Sequence, residues 1–255
     1  ENGLISLWNC NIYSPPDTAF TINMLSACYL LIEKLTFPEL DTLKNKLLQF
    51  LKRCIPGMVT GGFHTPNHRW VISCALGFLY KIFGDERLKQ RAHQFLDEGF
   101  DVNDSGEWTE RSNVIYNAVS DMYVYHIGEI FNIPQAFDAI RKNLDMMKYM
   151  FHPDFYIVTE YSTRQDKGTR ARMDARYTII YLLMAAKDNN PQYAYIAEKA
   201  IEYSDTFAEV LIYLALYDNI KIPAPEKISD EYTVLLNAQN ISCVPKQFSE
   251  YGDAV

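Results

Sequence analysis

An asparagine and a histidine stand side by side where the sequence predicts the start of a helix. Residues 65–70 read Thr-Pro-Asn-His-Arg-Trp, with Thr65 as the predicted N-cap and the proline at the first helical position. The positive end of the helix dipole disfavours a charged imidazole, so we expect His68 to stay neutral and to accept a proton. The Asn67 amide can donate hydrogen bonds to a carboxylate or an oxyanion. In the alternative interpretation, both side chains only cap the helix or bond locally.

A second polar segment, residues 107–117, reads Glu-Trp-Thr-Glu-Arg-Ser-Asn-Val-Ile-Tyr-Asn. If it is helical, side chains four residues apart share a face. Two polar ridges then run side by side: Ser112, Tyr116 and Ser120 on one, and Asn113, Asn117 and Asp121 on the other. An apolar stripe lies beside them, so the pattern predicts a helix with one side lining a cavity. A solvated outer face is the alternative.

A third segment is basic, although the chain as a whole is acidic. Five basic side chains lie within thirteen residues, from Arg164 to Arg176, whereas the formal net charge is -8. A local basic patch on an acidic protein can receive an anionic substrate. The same run would also suit a solvated face with ion pairs to neighbouring acids.

The composition argues against two classes of partner. A net charge of -8 disfavours nucleic acid, which needs a broad basic surface. No apolar run approaches the roughly 20 residues that span a bilayer, so no membrane partner is expected. The 18 Tyr, 14 Phe and 3 Trp suit half-buried helix packing or a cleft that stacks on sugar rings.

The cysteines show no metal-binding spacing. There are five, with no Cys-x-x-Cys pair, and Cys28 and Cys74 occupy apolar helical positions. This pattern predicts buried thiols rather than disulfides, and it leaves the cellular compartment open. We expect no metal and no cofactor.

Helical periodicity extends through most of the chain. The predicted helices pair off about every 40 to 50 residues and fall near residues 17–35, 38–54, 66–83, 87–100, 109–131, 134–150, 170–187, 191–203 and 205–218. A short strand is predicted at residues 155–158. The predicted fold class is all-α, with antiparallel helical hairpins over residues 1–225 that suit a solenoid or an incomplete α/α toroid. Residues 226–255 are predicted to be a linker or the edge of another domain.

The Asn-His pair and the Glu-Arg-Ser segment that leads to Tyr116 and Asn117 together resemble the heparinase II/III-type polysaccharide lyases. Relatives of that family include alginate lyases that have an α/α toroid followed by a β-sandwich. The resemblance spans about residues 60–180. It implies that the hairpins belong to a toroid, with residues 226–255 leading towards a β-sandwich. It also implies a periplasmic or extracellular location, with the cytoplasm as the alternative.

The activity that this resemblance implies is β-elimination on a uronic-acid polysaccharide. Asn67 would bind the uronate carboxylate and make the adjacent C5 proton more acidic. His68 or Tyr116 would take that proton, and Tyr116 could protonate the leaving glycosidic oxygen. Tyrosine has an ordinary pKa of about 10, so a basic neighbour such as Arg111 would help it to act as a base. Further substrate-binding candidates are Arg69, Trp70, Arg111, Glu160, Tyr161, Arg164 and Lys167.

Two other functions stay open. A glycoside hydrolase would need two carboxylates across the scissile bond, and the available acids are Glu107, Glu110, Asp121, Glu160 and Asp166. A non-catalytic helical-repeat module would bind carbohydrate or a protein partner. Because the chain begins at Glu1 rather than at a methionine, we expect a processed protein or a piece of a longer one. Such a piece could hold part of an active site without being active.

Overall fold

The computed structural model describes residues 3–7, 10–152, 154–160, 162–203 and 208–228. Within these ranges the regular secondary structure is helical, and the only β-type pairings are isolated bridges. The predicted all-α class is therefore confirmed. Most of the segment predicted to be a linker, residues 229–255, lies outside the described residues, as do Tyr161 and Cys243.

Nine α-helices and one short 3₁₀ turn, Pro38–Leu40, account for the regular structure of the described residues. The α-helices are α1 (Pro15–Glu33), α2 (Asp41–Thr60), α3 (Pro66–Phe83), α4 (Glu86–Leu96), α5 (Tyr116–Phe131), α6 (Pro134–Met147), α7 (Ala175–Asp188), α8 (Pro191–Tyr203) and α9 (Ala208–Leu214). Two-residue connections join α3 to α4 and α7 to α8. Each connection begins with a residue in the left-handed conformation, Gly84 at φ 66° and Asn189 at φ 49°, which ends the helix and reverses the chain.

The contacts divide the chain into two compact units. The first unit comprises Glu1–Phe100, His126–Ile133 and Ala215–Asp218, and the second comprises Asp101–Tyr125, Pro134–Leu214 and Asn219–Val255. Both units are discontinuous in sequence. The start of α5 belongs to the second unit and its end to the first.

The core of the first unit is built around α3. This helix is buried almost without interruption from Arg69 to Leu79 and packs against α1 and α4. A helix that is apolar on all sides has to lie inside its domain. The Asn23 side chain of α1 donates a hydrogen bond to the Val71 carbonyl at 3.0 Å, so the buried amide Nδ2 of α1 is satisfied by the backbone of α3.

The core of the second unit contains three buried tyrosines whose hydroxyls all donate hydrogen bonds. Tyr177 bonds to the Asn113 carbonyl, Tyr181 to the Leu144 carbonyl at 3.0 Å, and Tyr193 to the Asp145 carboxylate at 2.8 Å. A buried tyrosine contributes a large apolar surface and needs one polar partner. These three rings serve packing, which accounts for part of the high tyrosine content.

The first helix begins earlier than predicted, at Pro15 rather than near Asp17. The Ser14 hydroxyl accepts a hydrogen bond from the Asp17 amide at 3.4 Å and so serves as the N-cap. Prolines fit the first helical turn because their missing amide hydrogen would have no partner there. The Pro-Pro pair therefore starts the helix, two residues before the predicted start near residue 17.

The second helix runs through Pro56 to Thr60, although residue 54 was its predicted end. A proline inside a helix removes one backbone hydrogen bond and crowds the preceding turn. The apolar side chains of Ile55 and Met58 on either side of Pro56 are buried, and their burial offsets this cost. Tertiary packing thus overrides a local signal that favours helix termination.

The fifth helix begins at Tyr116 rather than at residue 109. Arg111 adopts a left-handed backbone conformation at φ 44°, which a continuous helix excludes. The Val114 amide donates to the Asp166 carboxylate at 3.0 Å instead of to a helical carbonyl. Residues 109–115 are therefore a loop held by a distant side chain.

The predicted strand at residues 155–158 is wrong within the described residues. Phe155 has a φ of 61°, which breaks an extended backbone. Two isolated bridges remain, Phe151 with Ile157 and Tyr156 with Arg172. Other ends also differ from the prediction: α4 ends at Leu96, α6 ends at Met147 and α7 begins at Ala175.

We predict that Gly106→Ala destabilises the second unit strongly. Gly106 is buried with φ 88°, and a Cβ there would collide with the Lys142 carbonyl oxygen. Left-handed strain and the clash together are expected to lower the free energy of unfolding by about 3 kcal/mol, as measured by urea denaturation. Gly99→Ala is the matched control, because Gly99 has φ 81° and open space around it, and only about 1 kcal/mol should be lost. Equal losses in the two variants would contradict the clash.

Candidate functional site

The Asn-His pair lies at the start of α3, in the first unit. The helix begins at Pro66 with Thr65 as its N-cap residue, which confirms the prediction, although the threonine side chain makes no capping hydrogen bond within the described residues. Asn67 is fully buried and His68 is half-buried. The His68 imidazole meets the Phe63 ring edge-on, with the ring centroids 6.3 Å apart.

The two residues that follow this pair point into the interior. Arg69 is 5% exposed, and its Nη1 donates to Glu98 Oε2 at 3.1 Å. Its guanidinium lies 4.3 Å from the Trp70 ring centroid, and Trp70, which is fully buried, stacks on Phe100 at 5.3 Å. Arg69 and Trp70 were predicted to bind substrate; the structure shows them holding the start of α3 to the segment that follows α4.

Glu98 and His64 are two further polar residues of this region that the sequence analysis did not single out. One oxygen of Glu98 holds Arg69, and the other lies 2.8 Å from Nδ1 of His64. The His64 side chain is 70% exposed. A carboxylate that orients an imidazole is a recurring feature of general bases. Only the α3–α4 hairpin brings these residues together, so no local sequence spacing could reveal the pair.

Tyr116 is the first residue of α5, in the second unit, and its half-buried ring contacts a guanidinium. The Arg164 guanidinium carbon lies 4.7 Å from the Tyr116 ring centroid. Nη1 of Arg164 also lies 2.9 Å from Glu110 Oε1, and the Glu110 side chain is only 5% exposed. We call Glu110, Arg164 and Tyr116 the Tyr116 group. Arg111 was predicted to be the cation that assists Tyr116; the structure places the Arg164 guanidinium on the Tyr116 ring, and the role of Arg111 stays a prediction.

The backbone next to the Tyr116 group is strained, and hydrogen bonds from Thr163 hold it in place. Arg111 has a φ of 44°, a conformation that costs a non-glycine residue about 1–2 kcal/mol. Thr163 holds it in place: its amide donates to the Arg111 carbonyl at 2.9 Å, and its hydroxyl donates to the Glu110 carbonyl at 2.7 Å. Backbone strain of this kind concentrates at functional sites.

Asp166 anchors the same loop from the basic segment. Its carboxylate accepts hydrogen bonds from the Ser112 hydroxyl at 2.9 Å, the Val114 amide at 3.0 Å and the Ser162 hydroxyl at 3.1 Å. The side chain is buried, so these three donors replace water around the carboxylate. Asp166 therefore holds the loop together, which leaves it poorly placed to act as one of two catalytic carboxylates.

The ridge of Asn113, Asn117 and Asp121 is fully buried, so a solvated outer face is the wrong interpretation for these three residues. The Asn113 amide donates to the Val158 carbonyl at 2.9 Å, and the Asn117 amide donates to Asn113 Oδ1 at 3.1 Å. Nε1 of Trp108 donates to Asp121 Oδ1 at 2.9 Å. The ridge is a buried hydrogen-bonded row rather than the wall of an open cavity.

Two buried carboxyl groups of the second unit have raised pKa values. Burial raises the pKa of Glu107 to about 7, against the opposing effects of Arg111 and of a hydrogen bond from Asn103. Burial also raises the pKa of Asp121 well above its usual range, although the Trp108 hydrogen bond acts in the other direction. A carboxyl group that titrates near neutral pH can act as a general acid or base.

The basic segment is partly committed to ion pairs, as the solvated-face interpretation expects. Arg176 pairs with Asp174 at 2.8 Å, and Arg164 pairs with Glu110. Lys167 is exposed, and Glu160, which is also exposed, lines a cleft of about 620 Å³. Among the predicted substrate-binding residues of this segment, Arg164 is half-buried and paired with Glu110, whereas Glu160 and Lys167 are exposed.

A buried histidine in the first unit was also missed from the sequence. His126 is fully buried, and its Nδ1 lies 2.6 Å from the Tyr217 hydroxyl. Burial lowers the pKa of this imidazole to about 3, and the Lys81 charge acts in the same direction. His126 is therefore a neutral core residue that links α5 to residues 215–218.

The described residues contain no candidate metal site, and the comparisons with protein families and with curated proteins found no match. No group of three or more His, Cys, Asp or Glu side chains is placed to hold a metal ion in the part of the chain that the structure describes. No helix in that part is long and apolar enough to cross a membrane. No protein-family model matches the chain, and no curated protein matches it.

We predict that Asp121→Asn changes the pH dependence of stability. The pKa of Asp121 is raised in the fold. The stability that Asp121 contributes is therefore fully present below its unfolded pKa of about 3.9, and it is lost as the pH rises towards the folded pKa. The asparagine keeps an acceptor for Trp108 and cannot ionise. The variant should therefore gain stability relative to the unmodified protein as the pH rises from 4 to 8, as measured by thermal unfolding.

Asp104→Asn is the control for this prediction, because the Asp104 side chain is fully exposed. It should leave the shape of the pH profile unchanged. Glu107 carries an effect of the same sign between about pH 4.3 and its folded pKa of about 7, and this effect persists in both variants. Parallel pH profiles for the unmodified protein and Asp121→Asn would contradict a raised pKa at Asp121.

Proposed function

We propose that the chain is the toroid portion of a heparinase II/III-like polysaccharide lyase, which cleaves a uronic-acid polysaccharide by β-elimination. In this proposal the helical hairpins belong to an incomplete α/α toroid. The observation that supports it best is the Tyr116 group, in which a half-buried phenol contacts a guanidinium held by a buried carboxylate. The proposal also rests on the resemblance of the Asn-His and Arg-Ser-Tyr segments to that family.

The proposed reaction needs one group that removes a proton and one that supplies a proton. The base takes the C5 proton, the electron pair forms the C4–C5 double bond, and the C4–oxygen bond breaks. The leaving glycosidic oxygen then receives a proton. If Tyr116 is the base, its hydroxyl can supply that proton, because it carries the proton taken from C5. Negative charge develops on the substrate or the phenol during these steps. Both Arg164 and the N-terminus of α5 would stabilise it.

Asn67 and His68 keep the roles that the resemblance implies. The Asn67 amide would donate a hydrogen bond to the uronate carboxylate, which makes the C5 proton more acidic; because Asn67 is fully buried, this role requires the start of α3 to open when substrate binds. His68 would be the alternative base, and its position in the first turn of α3 favours the neutral imidazole that this role needs. Each role is tested by its own variant, independently of Tyr116.

A glycoside hydrolase is the second candidate, because one observation favours it. The pKa of Glu107 is about 7, which is the value that a catalytic acid of a glycosidase needs at neutral pH. The product separates the two functions, since hydrolysis gives a new reducing end without a double bond. Elimination gives an unsaturated uronate that absorbs ultraviolet light.

We predict that Tyr116→Phe abolishes elimination, because the variant keeps the ring and loses the proton-transferring hydroxyl. Turnover of uronate polysaccharides, followed by the ultraviolet absorbance of the unsaturated product, should fall about a hundredfold or more. His68→Ala and Asn67→Ala should each lower turnover as well. Tyr80→Phe is the matched control, since the Tyr80 hydroxyl bonds to an exposed glutamate, Glu86, and its turnover should not change.

Full turnover by Tyr116→Phe would overturn the assigned role of the phenol. New reducing ends without ultraviolet absorbance, lost in Glu107→Gln, would establish the hydrolase instead. Absence of any product from the unmodified chain would contradict activity of the chain alone, in favour of a binding module.

A further inference from the structure

The second unit contains a cleft beside the loop that follows α6. Its volume is about 620 Å³, and it is lined by His152, Asp154, Tyr156, Ile157, Glu160, Gly168, Thr169 and Arg170. We call it the hairpin cleft, because its walls come from the two sides of one chain reversal. Small-molecule sites have volumes of about 300–1,000 Å³, so the hairpin cleft can hold a ligand of several rings.

Tyr156 forms the aromatic wall of the hairpin cleft, between two guanidiniums. The Arg170 guanidinium carbon lies 4.2 Å from the Tyr156 ring centroid, and that of Arg172 lies 4.7 Å from it. Arg172 also lies 4.2 Å from the Tyr203 ring centroid. Stacking on an aromatic face holds a guanidinium without using its N–H groups. The Tyr156 ring therefore holds the Arg170 guanidinium in place, and the N–H groups of that guanidinium stay available to a ligand.

The nearest carboxylate engages Arg170 only loosely. Nη2 of Arg170 lies 3.5 Å from Asp154 Oδ2, and the two side chains are 76% and 54% exposed. Ordinary charge-assisted hydrogen bonds are about 2.7–2.9 Å long, as in the Arg164–Glu110 pair at 2.9 Å. Among the described residues, Arg170 donates no hydrogen bond to a protein acceptor. A hydroxyl group placed beside this pair can accept a hydrogen bond from Arg170 and donate one to Asp154.

The lining combines both kinds of hydrogen-bonding group in one cleft. Arg170 is a donor only, whereas the ionised carboxylates of Asp154 and Glu160 are acceptors only. A small inorganic anion carries acceptors only, so it can bind Arg170 but cannot donate a hydrogen bond to either carboxylate. A sugar hydroxyl both donates and accepts, so it can satisfy the two sides at once. The side chains of the hairpin cleft therefore suit a hydroxyl-rich ring better than a small inorganic anion.

The walls are preformed, which lowers the entropic cost of binding. The His152 amide donates to the Tyr156 carbonyl at 2.8 Å, and the Phe155 amide donates to the His152 carbonyl at 2.8 Å. On the opposite side, the Thr169 amide and hydroxyl donate to the Asp166 carbonyl at 3.0 and 2.8 Å. Both turns are thus fixed by their own backbone before a ligand arrives.

We propose that the hairpin cleft is a saccharide-binding subsite, which takes a short stretch of sugar units through hydrogen bonds to Arg170, Asp154 and Glu160. Its lining shares no residue with the Tyr116 group, and in this proposal it binds sugars without cleaving them. The expectation that these sugars include uronates rests on the proposed function. The existence of the subsite does not, because binding is measured without turnover.

The test measures binding to the full chain by isothermal titration calorimetry, in a Tyr116→Phe background so that no probe is cleaved. The probes are tetrasaccharides prepared from alginate and from heparin, the neutral tetrasaccharide cellotetraose, and inorganic sulfate. Arg170→Gln should weaken tetrasaccharide binding about tenfold or more, because a charged hydrogen bond is lost. Asp154→Asn should weaken it less, because the amide keeps one acceptor.

Arg87→Gln is the matched control, since Arg87 is a similarly exposed arginine that pairs with an aspartate, Asp85, in the first unit. It should bind the probes as the parent does. Unchanged binding in Arg170→Gln would overturn the subsite, and so would an equal loss in Arg87→Gln, which would show a general effect of charge. Displacement of the tetrasaccharides by sulfate at comparable concentration would also overturn it in favour of a plain anion site.

The two proposals fail separately in these measurements. Binding of cellotetraose as tight as that of the acidic tetrasaccharides, and equally dependent on Arg170, would support the subsite and count against uronate as the substrate. Absence of ultraviolet-absorbing product from the unmodified chain, together with Arg170-dependent binding, would leave the subsite standing without the lyase. Ultraviolet-absorbing product with no Arg170-dependent binding would leave the lyase standing without the subsite.

Discussion

The carboxylate of Asp166 is the point on which the local structure of the second unit depends. It binds two donors from residues 112–114 and a third, Ser162, from its own segment, so it joins parts of the chain that are about fifty residues apart. Next to these contacts, Arg111 has its left-handed conformation, α5 begins at Tyr116, and Arg164 lies on the Tyr116 ring. The position of the proposed base therefore follows from one buried side chain that takes no part in the proposed chemistry.

Burial of polar groups gives the second unit its electrostatic character. Asn113, Asn117 and Asp121 form a buried row, and Glu107, nearby in sequence, is buried as well. Each of these groups costs free energy unless it is hydrogen-bonded or neutral, which is why the two carboxyls have raised pKa values. The hairpin cleft has the opposite character, because Asp154 and Arg170 are exposed there. Buried polar groups fix the backbone, and exposed ones are available to ligands.

Local signals in the sequence predicted the parts of the fold that depend on local physics. The predicted helix over residues 66–83 matches α3, because a proline at the first helical position and a left-handed glycine after the last one act within one turn. The continuation of α2 through Pro56 was not predictable, since distant apolar contacts decide it. In the candidate site, too, local features were predictable from the sequence and tertiary contacts were not. The residue types of the Tyr116 and Asn67 segments were recognised, whereas the contact of Arg164 with Tyr116 depends on the tertiary fold and no spacing in the sequence encodes it.

The first unit is assembled from three separate stretches of the chain, and this has a consequence for biosynthesis. Its last stretch, Ala215–Asp218, brings Tyr217 to the buried His126 and Asp218 to Lys34, with Lys34 Nζ 2.9 Å from Asp218 Oδ2. When the ribosome has translated the chain only as far as residue 133, most of this unit has been made without Tyr217, which contacts His126. Completion of the first unit has to wait until Asp101–Tyr125 and Pro134–Leu214 of the second unit have been synthesised, so synthesis of the first unit does not end before that of the second begins.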